Sequence, residues 1–163
     1  MSWRKYLICI VAGATIFACS SSNDSPIGQS SNTAENAFMR GDYATALAEW
    51  RPRAERGDPA AQYGLGYMYR HGQGVPQNSK EAGLWYKKAA MQGYVKAQIK
   101  LGLMYAKGDG FSQNYVQAHK WFNLAAAQGE KNAARARTKI EKYMTAVEIQ
   151  EAKRLAHEWK PNK

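Results

Sequence analysis

Two stretches of the chain decide the fold: AQYGLGYMYRHGQGVPQNSKEAGLWYKKAAMQG at residues 61–93 and AQIKLGLMYAKGDGFSQNYVQAHKWFNLAAAQG at residues 97–129. At an offset of 36 residues they share sixteen identical positions. Self-similarity at a fixed period is the signature of a repeat protein, in which each unit buries its apolar face against its neighbours. We therefore predict one repeat over residues 58–93 and a second over residues 94–129.

Each repeat is predicted to hold two helices. Ala61, Leu65 and Met68 form an apolar stripe at helical spacing, and Asp58 precedes this stripe in the position of an N-cap. Asn78, with a glutamate three residues later, predicts the start of the second helix by a capping box. The two repeats therefore predict four helices in helix-turn-helix pairs.

Less regular segments flank the two repeats. Residues 33–57 are interpreted as a degenerate N-terminal repeat, with its turn at Gly41. Residues 130–160 are interpreted as a pair of C-terminal helices, apolar on one side and polar on the other, that cap the stack. The spacing of four tryptophans predicts about one tryptophan in each layer of the stack. These residues are Trp50, Trp85, Trp121 and Trp159.

The repeat motif identifies a family by resemblance. The pattern LGxxYxxGxGV at residues 65–75, followed by AxxWYxxAAxQG at residues 82–93, resembles the Sel-1-like repeat, a relative of the tetratricopeptide repeat. The resemblance covers about residues 42–129. It implies an all-α fold, a short right-handed α-solenoid whose first helices line a concave surface. It also implies a non-enzymatic scaffold or adaptor that binds another protein.

The N-terminal segment predicts export. Arg4 and Lys5 precede a charge-free run over residues 6–18, too short to span a bilayer, so residues 1–18 are typical of a signal peptide. The sequence IFACS at residues 16–20 resembles the lipobox of bacterial lipoproteins, which implies lipidation of Cys19 and a polar tether over residues 19–32. The expected location is the bacterial envelope, on the periplasmic side of the outer membrane if two membranes exist. Without lipidation the chain would be periplasmic.

The charge balance is strongly basic. Lys and Arg number 23 against 13 acidic residues, and the formal net charge is +10. A cluster in the predicted cap is interpreted either as a solvated face or as a surface for anionic lipid, glycan or an acidic partner. It comprises Lys131, Arg135, Arg137, Lys139 and Lys142. Nucleic acid is excluded as a partner because the chain is expected to be exported.

Candidate partner-binding residues follow from the tetratricopeptide analogy. They are the positions of each first helix that the repeat pattern leaves outside the core, namely Tyr63, Tyr67, Arg70, Ile99, Leu103 and Ala106. Tyrosine and arginine are enriched at the centres of protein interfaces. The alternative is that Tyr63 and Tyr67 simply pack against neighbouring helices. The expected partner is another envelope protein, with the membrane contacted through the lipid anchor.

The sequence contains no combination of residues typical of catalysis or metal binding. His71, His119 and His157 are far apart and are expected on the surface. Gly72 and Gly74 recur at the repeat period, which indicates turns between helices and not a phosphate-binding loop. We therefore expect no enzymatic activity, no cofactor and no metal.

One enzymatic alternative comes from related cysteine-rich repeats, which include weak β-lactamases. Those repeats carry a cysteine pair each, whereas the two cysteines of this chain are Cys9 and Cys19. The alternative functions are thus a peptidoglycan- or β-lactam-interacting protein and a protein that binds anionic surfaces through the basic cap.

Overall fold

The computed structural model describes residues 30–162, and this part of the chain forms eight α-helices without a β-strand. The helices are α1 (Ser30–Met39), α2 (Tyr43–Glu55), α3 (Pro59–His71), α4 (Ser79–Met91), α5 (Val95–Lys107), α6 (Tyr115–Ala127), α7 (Lys131–Glu141) and α8 (Ala146–His157). The predicted signal peptide, the lipidation residue Cys19 and the tether up to residue 29 lie outside the described residues. Helix α1 begins at Ser30, so it includes the last three residues of the predicted tether.

The helices pack in series, each on the next, from α1 to α7. This serial packing confirms the α-solenoid predicted from the repeats. Odd-numbered helices are the first helices of the pairs, and even-numbered helices are the second. None of the helices within residues 30–162 has the length and apolar character needed to cross a membrane.

The ends of the repeat helices follow the predicted capping residues. The Asp58 side chain accepts hydrogen bonds from the backbone N–H groups of Ala60 and Ala61. Helix α3 ends at Gly72, whose φ of 67° lies in the left-handed region that favours glycine. Asn78 accepts from the backbone N–H of the residue three positions later, which forms the first half of the predicted capping box. Local sequence therefore sets the helix boundaries.

A glycine of each first helix lets the aromatic ring of the second helix approach closely. A Cβ atom at Gly66 would lie 2.6 Å from Cδ1 of Tyr86, and one at Gly102 would lie 2.7 Å from Cε1 of Phe122. Tyr86 and Phe122 occupy equivalent positions of the two repeats, and both are buried. The small residue and the large ring fill one space together, as close packing of protein interiors requires.

Buried glutamines join successive helices in a pattern that also repeats. The Gln62 amide donates to the carbonyl oxygen of Ala54 at 3.1 Å, and it accepts from the Gln92 amide at 2.8 Å. The bonds link the second helix of one pair to both helices of the next. The same arrangement recurs 36 residues later with Gln98, Ala90 and Gln128.

The C-terminal helices are arranged differently from a repeat. Helix α7 packs on α6, and α8 also packs chiefly on α6. Trp159 lies beyond the end of α8, with its ring 6.3 Å from that of Trp121, and the backbone N–H of Asn162 donates to the carbonyl oxygen of Met91. The prediction of one tryptophan per layer is therefore wrong for Trp159, because the terminal segment folds back across α6 to reach α4.

Candidate partner-binding surface

The first helices α1, α3 and α5 form a surface with two adjoining pockets, which we call the first-helix face. The larger pocket, the aromatic pocket, has a volume of about 370 Å³. Its rings come from α1, α2, α3 and the residue before α5. They belong to Phe38, Trp50, Tyr63, Tyr67 and Tyr94. The pocket therefore presents ring faces and edges to a ligand.

The aromatic pocket is held together by ring contacts. The ring of Phe38 lies 5.4 Å from that of Trp50 and 5.5 Å from that of Tyr67, measured between centroids. The Tyr63 ring lies 5.5 Å from the Tyr94 ring. Burial raises the pKa of the Tyr63 hydroxyl above its usual range, with smaller contributions from neighbouring tyrosines. The rings are thus fixed by their neighbours before any ligand binds, which lowers the entropic cost of binding.

The second pocket, the basic pocket, lies between α3 and α5 and has a volume of about 190 Å³. Most of its side chains are cationic or polar, and the other two, Leu103 and Met104, are apolar. The lining includes Arg70, His71, Tyr86, Lys100, Leu103 and Lys107. The basic and aromatic pockets meet where the Tyr67 and His71 rings lie 4.2 Å apart.

The electrostatics of the basic pocket are dominated by positive charge. Arg70 forms an ion pair with Asp109 and donates a hydrogen bond to the Ser79 hydroxyl at 3.4 Å. The pKa of His71 is lowered, first by burial and then by the charges of Arg70 and Lys100. A histidine whose pKa is lowered by nearby cations reports a positive local potential.

The Tyr86 hydroxyl is a buried polar group in the basic pocket. Tyr86 is 1% exposed, and its hydroxyl has no hydrogen-bond partner among the described residues. Burial raises the pKa of Tyr86 above its usual range, and the Arg70 charge partly opposes this rise. The hydroxyl is therefore neutral at physiological pH and able to donate a hydrogen bond.

The six predicted partner-binding residues divide into two groups. Tyr63 and Tyr67 line the aromatic pocket, and Arg70 and Leu103 line the basic pocket. Ile99 and Ala106 are half-buried and pack against the apolar cluster around α6 and α7, because α7 continues the stack beyond α5. The alternative weighed for Tyr63 and Tyr67 also holds in part, since both rings contact neighbouring helices while they line the pocket.

Sequence reasoning missed several residues of this surface. Lys100 and Lys107 lie on α5 and line the basic pocket beside Leu103. The other repeat has neither lysine nor arginine at the two equivalent positions, so the repeat pattern did not point to them. Tyr86 comes from a second helix, which the tetratricopeptide analogy assigns to the opposite side. The repeat pattern assigned Tyr86 to the core and gave no signal that its hydroxyl lacks a partner.

The basic residues predicted in the cap lie mainly on α7. Four of them are exposed and share one side of the helix, since their spacing of four, four and three residues is helical. They are Lys131, Arg135, Lys139 and Lys142. Arg137 faces α6 instead, where its guanidinium donates to the Asn123 side-chain oxygen at 2.5 Å. We call the four exposed residues the basic stripe.

A third pocket shares no lining residue with the first-helix face. It is an open groove of about 520 Å³ between α4 and the C-terminal segment. Leu84 and Trp85 line it, and the Lys88 ammonium lies 4.0 Å from the centroid of the Trp85 ring. Asn162 closes one end. This groove is separate from the first-helix face.

The histidines do not form a site, but one of them is not on the surface. His119 is fully buried in α6, so its predicted exposure is wrong. Its Nε2 atom lies 2.8 Å from a carboxylate oxygen of Glu141 on α7, and its Nδ1 atom is buried without a partner among the described residues. Within the part of the chain described, no group of three or more potential metal ligands occurs.

Within residues 30–162, the serial packing of the helices from α1 to α7, with pockets between the first helices, defines the class of protein as a helical-repeat solenoid. The profile of the Sel1 repeat family matches residues 59–94 and 95–130. The chain is thus a Sel1-like repeat protein, which confirms the resemblance seen in its motifs. The Sel1 repeat fold is generally a scaffold for protein interactions and is typically non-enzymatic.

Solved structures share this fold. A protective antigen of uropathogenic Escherichia coli with an SLR fold has a TM-score of 0.75 and 32% identity, over 80% of this chain and 29% of the antigen. A Sel1 repeat protein from Oxalobacter formigenes has a TM-score of 0.65 and 34% identity, over 79% of this chain and 55% of that protein. Cysteine-rich protein B of Helicobacter pylori has a TM-score of 0.55 and 19% identity over 63% of this chain, a likeness of fold alone.

One curated relative is a chitin synthase regulator of Saccharomyces cerevisiae. It is 43% identical over 58 residues, which are 35% of this chain and 8% of the regulator. The chain thus spans a small part of that regulator, and 29% and 55% of the Escherichia and Oxalobacter proteins.

Proposed function

We propose that this protein is an adaptor of the bacterial cell envelope that binds a segment of another envelope protein on its first-helix face. The observation that carries this proposal is the pair of adjoining pockets between α1, α3 and α5. Four of the six residues proposed from the repeat pattern line these pockets. An aromatic pocket with preset rings beside a charged pocket suits a peptide segment, because anchors of this kind dominate binding energy at protein interfaces.

The envelope location rests on the N-terminal sequence. A short positive segment, a charge-free run and the lipobox-like sequence at residues 16–20 support export and lipidation of Cys19. Two or more acyl chains would hold the protein stably at a membrane. The polar segment that follows Cys19 would let the solenoid reach a partner at a distance from the bilayer.

Affinity capture with a matched pair of variants tests the binding face. Leu103 on α5 and Leu84 on α4 are exposed to a similar extent, 38% and 40%, but line different pockets with no residue in common. The tagged full-length protein is crosslinked in cells and its partners are identified by mass spectrometry. We expect Leu103→Glu to lose a partner that Leu84→Glu retains, because a carboxylate at the basic pocket would replace the aliphatic contact.

Retention of every partner by Leu103→Glu would contradict the use of the first-helix face. Loss in Leu84→Glu alone would place the binding site in the α4 groove instead. Helical circular dichroism of both variants shows whether each remains folded.

Lipidation is tested separately by Cys19→Ser. We expect the wild-type protein to carry acyl mass and to fractionate with membranes, and the variant to lose both. A wild-type protein without acyl mass, with unchanged fractionation of the variant, would contradict the anchor.

A second candidate function is binding to an anionic surface through the basic stripe. The four exposed cations on one side of α7 favour it, since each basic residue near an anionic membrane contributes about 1 kcal/mol. Sedimentation with phosphatidylglycerol vesicles measures this binding. We expect Lys139→Glu to weaken it and Lys88→Glu, a charge change on α4, to leave it nearly unchanged; equal effects would contradict a role for the stripe.

A further inference from the structure

The basic pocket contains donors that no group within residues 30–162 uses. Lys100 and Lys107 line it without an ion-pair partner among the described residues. The buried Tyr86 hydroxyl also lacks a hydrogen-bond partner there. Leaving a buried hydroxyl without a hydrogen-bond partner destabilises the folded protein. In the next repeat, Phe122 fills the equivalent position against Gly102 without a hydroxyl, so packing alone does not require one.

The charge and size of the pocket select an acidic group. Three cationic side chains line it, and Asp109 neutralises only Arg70. The volume of about 190 Å³ lies below the roughly 300–1,000 Å³ of small-molecule sites. One carboxylate side chain fits such a space, and it would accept hydrogen bonds from the Tyr86 hydroxyl and the lysine ammonium groups.

The aromatic pocket adjoins the basic pocket, so it selects a second side chain of the same ligand. Tyr63 and Tyr67 mark the aromatic pocket along α3, and Arg70 and His71 mark the basic pocket. At 1.5 Å per helical residue, the two pairs are centred about 8 Å apart. An extended peptide covers this distance in two to three residues, at about 3.3 Å each.

We propose that the first-helix face recognises an extended acidic peptide, in which an aspartate or glutamate side chain enters the basic pocket. An apolar or aromatic side chain two or three positions away occupies the aromatic pocket. This inference rests on the proposed function and gives its partner a chemistry. The Tyr86 hydroxyl, Lys100 and Lys107 bind the carboxylate, and the rings around Tyr67 bind the apolar side chain.

Selection from a random peptide library tests this recognition. The purified full-length protein in detergent micelles is immobilised, and a phage-displayed library of random twelve-residue peptides is selected on it. We expect enriched peptides to share an acidic residue two or three positions from an aromatic or aliphatic residue. The best peptide and its analogue with the acidic residue changed to the amide are then compared by fluorescence anisotropy. The amide cannot form the charge-assisted hydrogen bonds of the carboxylate, and this loss is expected to weaken binding about tenfold or more.

Matched variants connect the acidic preference to the pocket. Tyr86→Phe introduces the residue that position 122 already has, so this variant is expected to fold. It is expected to weaken the binding of the acidic peptide several-fold more than the binding of its amide analogue. Lys100→Glu is expected to abolish the preference for the acidic peptide. Tyr105→Phe removes a hydroxyl elsewhere on α5, and Lys153→Glu makes the same charge change at an exposed position of α8. Both controls are expected to bind like the wild type.

The outcomes separate this inference from the proposed function. Enriched peptides whose binding is lost in Leu103→Glu but which show no preference for an acidic residue would overturn the inference. They would still leave the first-helix face as a binding surface. An acidic preference unchanged by Tyr86→Phe and Lys100→Glu would likewise overturn it, because the carboxylate would lie elsewhere. Failure to enrich any peptide sensitive to Leu103→Glu would contradict both.

Discussion

Replacing Gly102 by alanine tests the close approach of α5 and α6. A Cβ atom there would lie 2.7 Å from Cε1 and 2.9 Å from Cδ1 of Phe122, both shorter than van der Waals contact. Helix propensity alone favours alanine over glycine by about 1 kcal/mol. Overpacking a well-filled core costs about 1–3 kcal/mol. Because Phe122 is a rigid ring that is almost fully buried, we expect the overlap to outweigh the propensity.

The net effect expected for Gly102→Ala is a free energy of unfolding lowered by up to about 2 kcal/mol. For a helical domain of this size the corresponding fall in Tm is up to about 8 °C. Urea unfolding of the full-length protein, followed by far-ultraviolet circular dichroism, measures it. The same substitution should cost less in a Phe122→Leu background, where space for the added methyl exists. A stabilising Gly102→Ala, or an equal cost in both backgrounds, would refute the packing argument.

Two further predictions concern buried polar groups. Gln98→Leu removes hydrogen bonds to two neighbouring helices and is expected to lower the free energy of unfolding by about 1–3 kcal/mol, measured by urea unfolding; Gln113→Leu, at an exposed loop position, should cost less. The pKa of His119 is lowered by burial, which the partner Glu141 only partly opposes, so the unfolded chain binds a proton more readily than the folded protein. The free energy of unfolding should therefore fall as pH decreases below about 6.5. His119→Asn should flatten this dependence on pH, while His157→Asn should not. An unchanged slope in His119→Asn would contradict the assignment of the pH dependence to His119.

Much of the fold could be predicted because its determinants are local and repeated. The N-caps at Asp58 and Asn78 and the turn at Gly72 act within a few residues of their own helix. The close contact between Gly66 and the ring of Tyr86 recurs in the next repeat. Aligning the two repeats therefore identifies both the glycine and the aromatic residue. Short-range signals of this kind can be read without knowledge of the tertiary structure.

The terminal segment could not be predicted in the same way. His119 and Glu141 are joined across α6 and α7, and Trp159 reaches Trp121 from beyond the end of α8. These contacts join segments that have no counterpart in the repeat. Periodicity identifies which side of a helix is apolar, but it does not state which later helix covers that side.

The binding surface was predicted only in part for a related reason. Tyr67 and Leu103 follow from the register of the first helices, and the structure places them in the pockets. Ile99 has the same register as Tyr63, yet it packs toward α7 because the stack continues there. Tyr86 enters the surface from a second helix, and only the three-dimensional arrangement shows that its hydroxyl has no partner in the described part of the chain.

Site-specific photo-crosslinking in cells tests most directly whether the first-helix face binds another protein. A photoreactive amino acid is placed at Leu103 in one strain and at Leu84 in another, and the crosslinked products are identified by mass spectrometry. We predict a defined protein adduct at position 103 that is absent at position 84. Adducts at position 84 alone, or identical adducts at both positions, would contradict binding through the first-helix face.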